Sequence, residues 1–213
     1  MKTESVFVYG ASGHGVVVAD ILLARNDLRF LGFVDDSPEM RGKTVVGVPV
    51  LGTGDWLREQ ARRTQIGVAL GVGDNHARKN IALKCESWGI EVISAVHPAA
   101  SVSRWARLGR GSVVIAFGAV NAQAVIGQGC IINTGAVVDH DAIVGDFAHI
   151  SPNAAMGGAA SLGSLSHLGI GAVIIQCVRV GSGCIIGAGA AVIRDVPDGV
   201  VAIGVPAKIQ REA

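Results

Sequence analysis

The 213-residue chain has room for one large or two modest domains, is half apolar, and carries a formal net charge of +1 from 18 basic and 17 acidic residues. There is no long run of one charge sign, and no apolar stretch reaches the ~18 residues of a membrane span, so neither nucleic acid nor a membrane is an expected partner. Aromatics make up only 4% of the residues while glycines number 30, a balance that suits turn-rich coils better than a core of large rings.

The opening MKTESVFVYG lacks a basic region, a long apolar core and a small-residue cleavage site, so no signal peptide is expected. The four cysteines form no CxxC pair, and the expectation is a reduced, cytoplasmic protein. Residues 6–9 read as a strand that runs into the loop Gly10-Ala11-Ser12-Gly13-His14-Gly15. An apolar-rich helix is expected over 14–25 and a second strand over 30–34, ending at Asp35-Asp36. Residues 55–63 and 75–88 read as helices, and 66–72 and 90–96 as strands. This alternation makes residues 1–95 a small parallel α/β sheet of Rossmann-like type.

A glycine loop between a strand and a helix is where backbone amides and the helix dipole can hold a phosphate. Its spacing here is GxxGxG rather than the dinucleotide GxGxxG, so glycines that serve only a tight turn and close packing are the alternative. Asp35 and Asp36 can accept hydrogen bonds from ribose or base, or can form a solvated turn before Ser37-Pro38. A second small loop, Gly71-Val72-Gly73-Asp74-Asn75, ends another strand on the same edge of the sheet. Loops at the carboxyl ends of parallel strands usually line the ligand crevice. Gly10, Gly73 and Asn75 therefore join the candidate substrate-binding residues, and ninety-five residues favour a mononucleotide or nucleotide sugar over a full NAD.

From Val96 to Val192 an aliphatic residue recurs at every sixth position, and four residues after each the side chain is almost always small. A period of six fits neither an α-helix nor an ordinary strand. It fits a parallel β-helix, in which each hexad is a short strand plus a turn and three hexads close one triangular coil. Residues 96–213 thus form an all-β domain of between five and six coils with a C-terminal tail. Cys130 and Cys184 fall in small-residue slots and should be buried thiols.

The motifs YGASGHG, Asp35-Asp36, GVGDN and NTGAVVDHD, set in these hexads, resemble the sialic-acid O-acetyltransferase-like family of left-handed β-helix sugar acetyltransferases. Within it the chain is most similar to the bacterial UDP-4-amino-sugar N-acetyltransferases, from Val6 to the tail Gly204-Val205-Pro206-Ala207-Lys208. The resemblance implies a homotrimer, with acetyl-CoA as co-substrate lying in a groove between neighbouring β-helices. It makes His140 the general base and Asp141, where Glu is more usual, its orienting carboxylate. Asn133 would position the reacting groups, and the Gly158 amide would donate to the thioester oxygen. His149, Gly158, Gly204, Pro206 and Lys208 would contact acetyl-CoA, and Gly13, His14, Gly15, Asp35 and Asp36 the nucleotide sugar.

The chemistry agrees with those residue types. A sugar ammonium must lose a proton before it attacks a thioester, and histidine, with an unperturbed pKa of ~6.5, suits that task. A backbone amide can stabilise the oxyanion, and glycine permits close approach. One coil of eighteen residues separates His140 from Gly158, so the two should stack at one corner. His140 occupies no core slot, and a plain surface histidine is the alternative. His149 and His167 also lie one coil apart, but no HxH or ExxH spacing supports a metal, and none is expected. The expected activity is acetyl transfer to the amino group of a nucleotide-linked 4-amino-4,6-dideoxy sugar, with UDP favoured. The rivals are O-acetylation of sialic acid or a related sugar, and a non-catalytic β-helix scaffold or sugar-nucleotide sensor.

Overall fold

A computed structural model describes residues 4–25 and 27–213. The opening three residues of the segment read for a signal peptide lie outside the described residues. The chain divides into two compact units, Met1–Pro98 and Ala99–Ala213, three residues beyond the boundary expected from the hexads.

In the first unit β1 (Glu4–Tyr9), α1 (Gly13–Leu23) and β2 (Leu28–Val34) are followed by β3 (Thr44–Val45), β4 (Val48–Gly52) and α2 (Gly54–Ala61). Next come β5 (Gly67–Leu70), α3 (Asn75–Ser87), β6 (Glu91–Val92) and β7 (Ala95–Val96). The sheet runs β3-β4-β2-β1-β5-β6, parallel throughout except for the β3–β4 pair. Val6, Phe7, Val8 and Tyr9 are all buried, as a central parallel strand covered on both faces requires. From β1 the chain moves to β2 on one side and later to β5 on the other. The carboxyl ends of β1 and β5 therefore form a topological switch point, the usual place for a ligand crevice in such sheets.

Sequence reading missed the β3–β4 hairpin. Val46 and Gly47, both at positive φ, make the two-residue turn that joins its strands. The strand expected over 90–96 is two strands. Ile93 still donates to the Val68 carbonyl, but the Ser94 carbonyl turns away to accept from Arg25, and the ladder breaks there. The strand expected over 66–72 ends at Leu70, because the following glycine loop departs from the sheet.

The second unit is a left-handed β-helix. Two-residue strands from Ser101–Val102 to Ala191–Val192 each end on the sixth-position aliphatic and pair in parallel with strands eighteen residues away. Those aliphatics fill the interior, from Val114 and Val120 to Ile186 and Val192, and a fully buried one contributes roughly 1.5–3 kcal/mol. The small-residue column is buried from Ser112 onward, with Val178 filling the slot where no small residue stands. The third residue after each aliphatic, from Gly111 to Gly189, has a positive φ. Where Asp141 or Asn153 occupies that slot, the short polar side chain tolerates the left-handed turn better than most. The expected C-terminal tail is a hairpin: Val200–Ile203 stacks on Ile185–Ile186, and Lys208–Glu212 folds back antiparallel.

Candidate active site

The turn after strand Val137–Val138 carries Asp139, His140 and Asp141 at one corner of the β-helix. His140 is largely exposed, and its Nδ1 lies 2.8 Å from Asp141 Oδ2. A ring that donates Nδ1–H to a carboxylate presents Nε2 as its basic lone pair. The Asp141 hydrogen bond, followed by the charge of Asp139, pushes the imidazole above its ordinary pKa of 6.5. Asp139 Oδ1 accepts from the His140 backbone amide at 2.8 Å and from Asn121 Nδ2, one coil below, also at 2.8 Å. These two hydrogen bonds, the Asn121 one larger, hold the Asp139 carboxyl below the usual carboxylate range.

Gly158 sits one coil above, and its lack of a side chain is required by its neighbour. A Cβ there would come within 2.7 Å of both His140 Cε1 and Nε2. The amides of Gly157 and Ala159 are committed to the Ile174 and His140 carbonyls, whereas that of Gly158 donates to no backbone carbonyl among the described residues. The structure thus brings His140, Asp141 and Gly158 together, with a free amide beside the imidazole. A groove of about 730 Å³ is lined by Trp105, Arg107, Ala122, Gln123 and Val125, of which Ala122 and Gln123 stand one coil below His140 and Asp141.

Asn133 and His149 form a second cluster, on the face built from strands Ile131–Ile132, His149–Ile150 and His167–Leu168. Asn133 Nδ2 lies 3.1 Å from His149 Nε2, and the His149 and His167 rings stack with centroids 4.7 Å apart. Ser151 Oγ and His167 Nε2 are 2.7 Å apart, extending the network. The strands that lead into Asn133 and His140, Ile131–Ile132 and Val137–Val138, belong to different sheets, so the two clusters start from different sides of a coil. Gly204, Pro206 and Lys208 lie at the exposed tip of the C-terminal hairpin. The tip is tied to the last coil through Ala191, which donates to the Gly204 carbonyl and accepts from Ala207.

In the first unit the glycines divide by role. A Cβ on Gly15 would strike the Gly10 carbonyl, and one on Gly10 would come within 2.7 Å of the Gly71 carbonyl, so Gly10 and Gly15 serve close packing at the switch point. A Cβ on Gly13 or Gly73 would meet nothing within 4 Å, so these two face open space. The α1 N-terminus has no acidic residue in its first turn, and Ser12 at its cap makes no side-chain hydrogen bond to it. Burial, with the charge of Arg78 second, lowers the His14 pKa to about 4, so the ring is neutral at physiological pH. Its Nε2 is buried without a hydrogen-bond partner among the described residues.

Arg78 is fully buried and donates to the Gly73 carbonyl and to Asn75 Oδ1, so Asn75 is committed to the loop rather than turned outward. Asp74 caps α3 by accepting from the Ala77 amide. Asp35 accepts from the Ala11 and Ser37 amides, latching the glycine loop. Asp36 accepts from the Tyr9 hydroxyl and from the Gly54 amide at the start of α2. Both carboxylates thus have structural partners in addition to any ligand. Beside Asp35, a cavity of about 300 Å³ is lined by Arg41, Val50, Thr53 and Trp56, its wall supplied by the β3–β4 hairpin.

Sequence reading missed Asp139 and Asn121, which the eighteen-residue register alone would have paired, and Arg78, whose burial in a loop has no sequence signal. Among the described residues no cluster of three or more His, Cys, Asp or Glu is arranged to hold a metal, and no helix is long and apolar enough to cross a membrane.

Residues 5–85 match the model of the PglD N-terminal domain. A curated UDP-N-acetylbacillosamine N-acetyltransferase from Bacillus subtilis (strain 168) is 39% identical over 116 residues, 53% of this chain and 52% of that enzyme, so the match spans about half the relative's length. A solved variant of perosamine N-acetyltransferase from Caulobacter crescentus, in complex with CoA and GDP-perosamine, is 40% identical. It superposes with a TM-score of 0.92 over 98% of this chain and 97% of that one. The acetyltransferase domain of PglB from Neisseria gonorrhoeae FA1090, in complex with acetyl coenzyme A, is 38% identical with a TM-score of 0.92 over 98% of this chain and all of that one, 100%. On near full-length likeness at this identity, the chain belongs to the PglD-type family of left-handed β-helix sugar acetyltransferases, the family its glycine loop and hexads resemble.

Proposed function

We propose that this protein transfers the acetyl group of acetyl-CoA to the amino group of a nucleoside-diphosphate-linked 4-amino-4,6-dideoxy sugar. The observation that carries the reading is the His140 imidazole, held through Nδ1 by Asp141 and stacked beneath the unencumbered amide of Gly158. His140 Nε2 takes the proton from the sugar ammonium or from the attacking amine. The Gly158 N–H stabilises the oxyanion of the tetrahedral intermediate, and His140 can then return its proton to the departing thiolate. The thioester supplies an activated acyl group, so the proposal has no step that needs a metal.

Acetyl-CoA fits this corner because Gly158 offers an amide with neither a backbone acceptor nor a Cβ in the way. Gly204, Pro206 and Lys208 present an exposed edge, and a lysine, for its phosphates. The nucleotide sugar is assigned to the first unit. The open Gly13 and Gly73, the free α1 N-terminus and the unsatisfied His14 Nε2 favour a diphosphate, and the cavity beside Asp35 a nucleoside. The resemblance favours UDP, whereas the near full-length relative holds GDP-perosamine.

Because the His140 and Asn133–His149 clusters start from different sides of a coil, the reading completes the site with a second copy, in a homotrimer acting in the cytoplasm. The deciding experiment offers acetyl-CoA with a panel of UDP-, GDP- and dTDP-4-amino sugars and identifies the product by mass spectrometry. An N-acetylated product of one member is expected. Thiol release with sialic acid alone would replace the reading with O-acetylation, and no release with any acceptor would favour a scaffold or sensor.

A further inference from the structure

The Asp139 carboxylate stands between His140 and the coil beneath it. Its Oδ1 receives two hydrogen bonds at once, from the His140 backbone amide and from the Asn121 side chain, each 2.8 Å long. Asn121 and Asp139 are one coil apart at the same register; the backbone ladder joins their coils through the Asn121 amide and the Val138 carbonyl, and continues upward from the Asp139 amide to the Met156 carbonyl. The His140 turn is otherwise held weakly from below. Asp141 donates its amide to the Ala122 carbonyl at 3.1 Å, but His140 itself makes its one backbone donation to Asp139. With Gly158 closing the space above the ring, the position of the imidazole depends on how firmly its own backbone is fixed.

We propose that Asn121 is a positioning residue of the transfer reaction, acting through Asp139 to fix the His140 backbone so that the imidazole stays beneath Gly158. The proposal rests on the reading of His140 as the base. Asn121 touches no reacting atom. It orients Asp139, whose single oxygen then orients the amide that sets the direction of the His140 side chain. The same arrangement holds a negative charge beside the ring. At this corner the coil below presents Asn121, Ala122 and Gln123 and the coil above Gly157, Gly158 and Ala159, none charged, so Asp139 and Asp141 are the charges that face His140. Both favour the imidazolium, which adds a pH readout that a simple brace between coils would not give.

The test measures kcat, both KM values and the pH dependence of kcat/KM for Asn121→Ala, Asn121→Asp, Asp139→Asn and His140→Ala, with melting temperature and oligomeric state recorded for each. Asn121→Ala should lower kcat roughly tenfold, the worth of one hydrogen bond to a charged group, with both KM values unchanged. Asp139→Asn keeps an oxygen that can accept both hydrogen bonds but loses the charge, so the acidic limb should move to lower pH. Asn121→Asp replaces the donor by a second carboxylate against Asp139, where the two share a proton, so kcat should fall as in Asn121→Ala. A folded Asn121→Ala enzyme with wild-type kcat, or an Asp139→Asn profile that does not move, overturns the proposal while an inactive His140→Ala leaves the base in place. A fully active His140→Ala would remove the base itself, and with it any role for Asn121 in positioning it.

Discussion

His140 and its two carboxylate neighbours set the pH behaviour expected of the enzyme. As the proposed base, His140 must be neutral to accept a proton, and the Asp141 hydrogen bond and the Asp139 charge raise its pKa above 6.5. Activity should therefore be low where the imidazole is protonated, rise as pH passes through the raised pKa, and level off above it. His140→Ala should lower kcat by about 10²–10⁴-fold with little change in either KM. Asp141→Asn should cost less, because the imidazole remains, and should shift the acidic limb to lower pH as the largest raising influence is lost. An amine acceptor can be deprotonated by solvent, so alkaline pH should partly restore His140→Ala, whereas a sugar hydroxyl would allow no such rescue. A pH–rate series on the three enzymes checks all of this, and an acidic limb unmoved in Asp141→Asn would contradict the charge assignment.

Among the elements, the β1–α1 loop separates glycines that pack from a glycine that faces outward. Gly15→Ala forces a methyl against the Gly10 carbonyl, so it should cost about 1–3 kcal/mol of stability, read as a lower urea midpoint. Gly13→Val meets no protein atom and should leave folding nearly intact. It crowds the α1 amides, however, and should raise KM for the nucleotide sugar far more than for acetyl-CoA. Equal effects of Gly13→Val on both KM values would deny the loop its nucleotide. The sequence carried the elements that repeat or alternate: the hexads from Val96 to Val192 appear as strands at the expected six-residue interval, and the order of β1, α1, β2, α2, β5 and α3 was readable from apolar periodicity. It did not carry the β3–β4 hairpin, whose VVGV turn lacks the usual Asn-Gly or Asp-Gly signal. Nor did it carry the commitments of Asp35, Asp36 and Asn75, because whether a polar side chain faces a ligand or a neighbouring loop is decided by packing between segments distant in sequence.

At the scale of the whole molecule, the separation of the His140 corner from the Asn133–His149 face is the strongest argument for assembly. Strands Ile131–Ile132 and Val137–Val138, which lead into Asn133 and His140, lie in different sheets of the β-helix, so the two clusters start from different sides of a coil. Three copies can bring one chain's corner to another's face. Sedimentation should show a trimer, and an active monomer would refute it. A sharper check uses two disabled chains. His140→Ala and Asn133→Ala homotrimers should each be impaired, and trimers formed by co-expression should regain part of the activity, since some interfaces then join an intact His140 to an intact Asn133. Absence of any regain would mean that both residues act within one chain.

The eighteen-residue register described for the second unit also constrains how its length can change. A residue's corner is set by the remainder of its number on division by eighteen, and its floor by the quotient. Losing or gaining one hexad between Val144 and Gly157 would rotate everything downstream by a third of a turn, and a residue other than Gly158 would stand over His140. Gaining three hexads there would keep every corner in place but lift Gly158 to the second floor above His140, with an inserted residue between them. Beyond Gly158 such changes would lengthen or shorten the prism while the catalytic corner stayed whole. Length in this unit is therefore quantised: the fold can count in sixes, but the stacking of Gly158 on His140 tolerates no number other than eighteen between them.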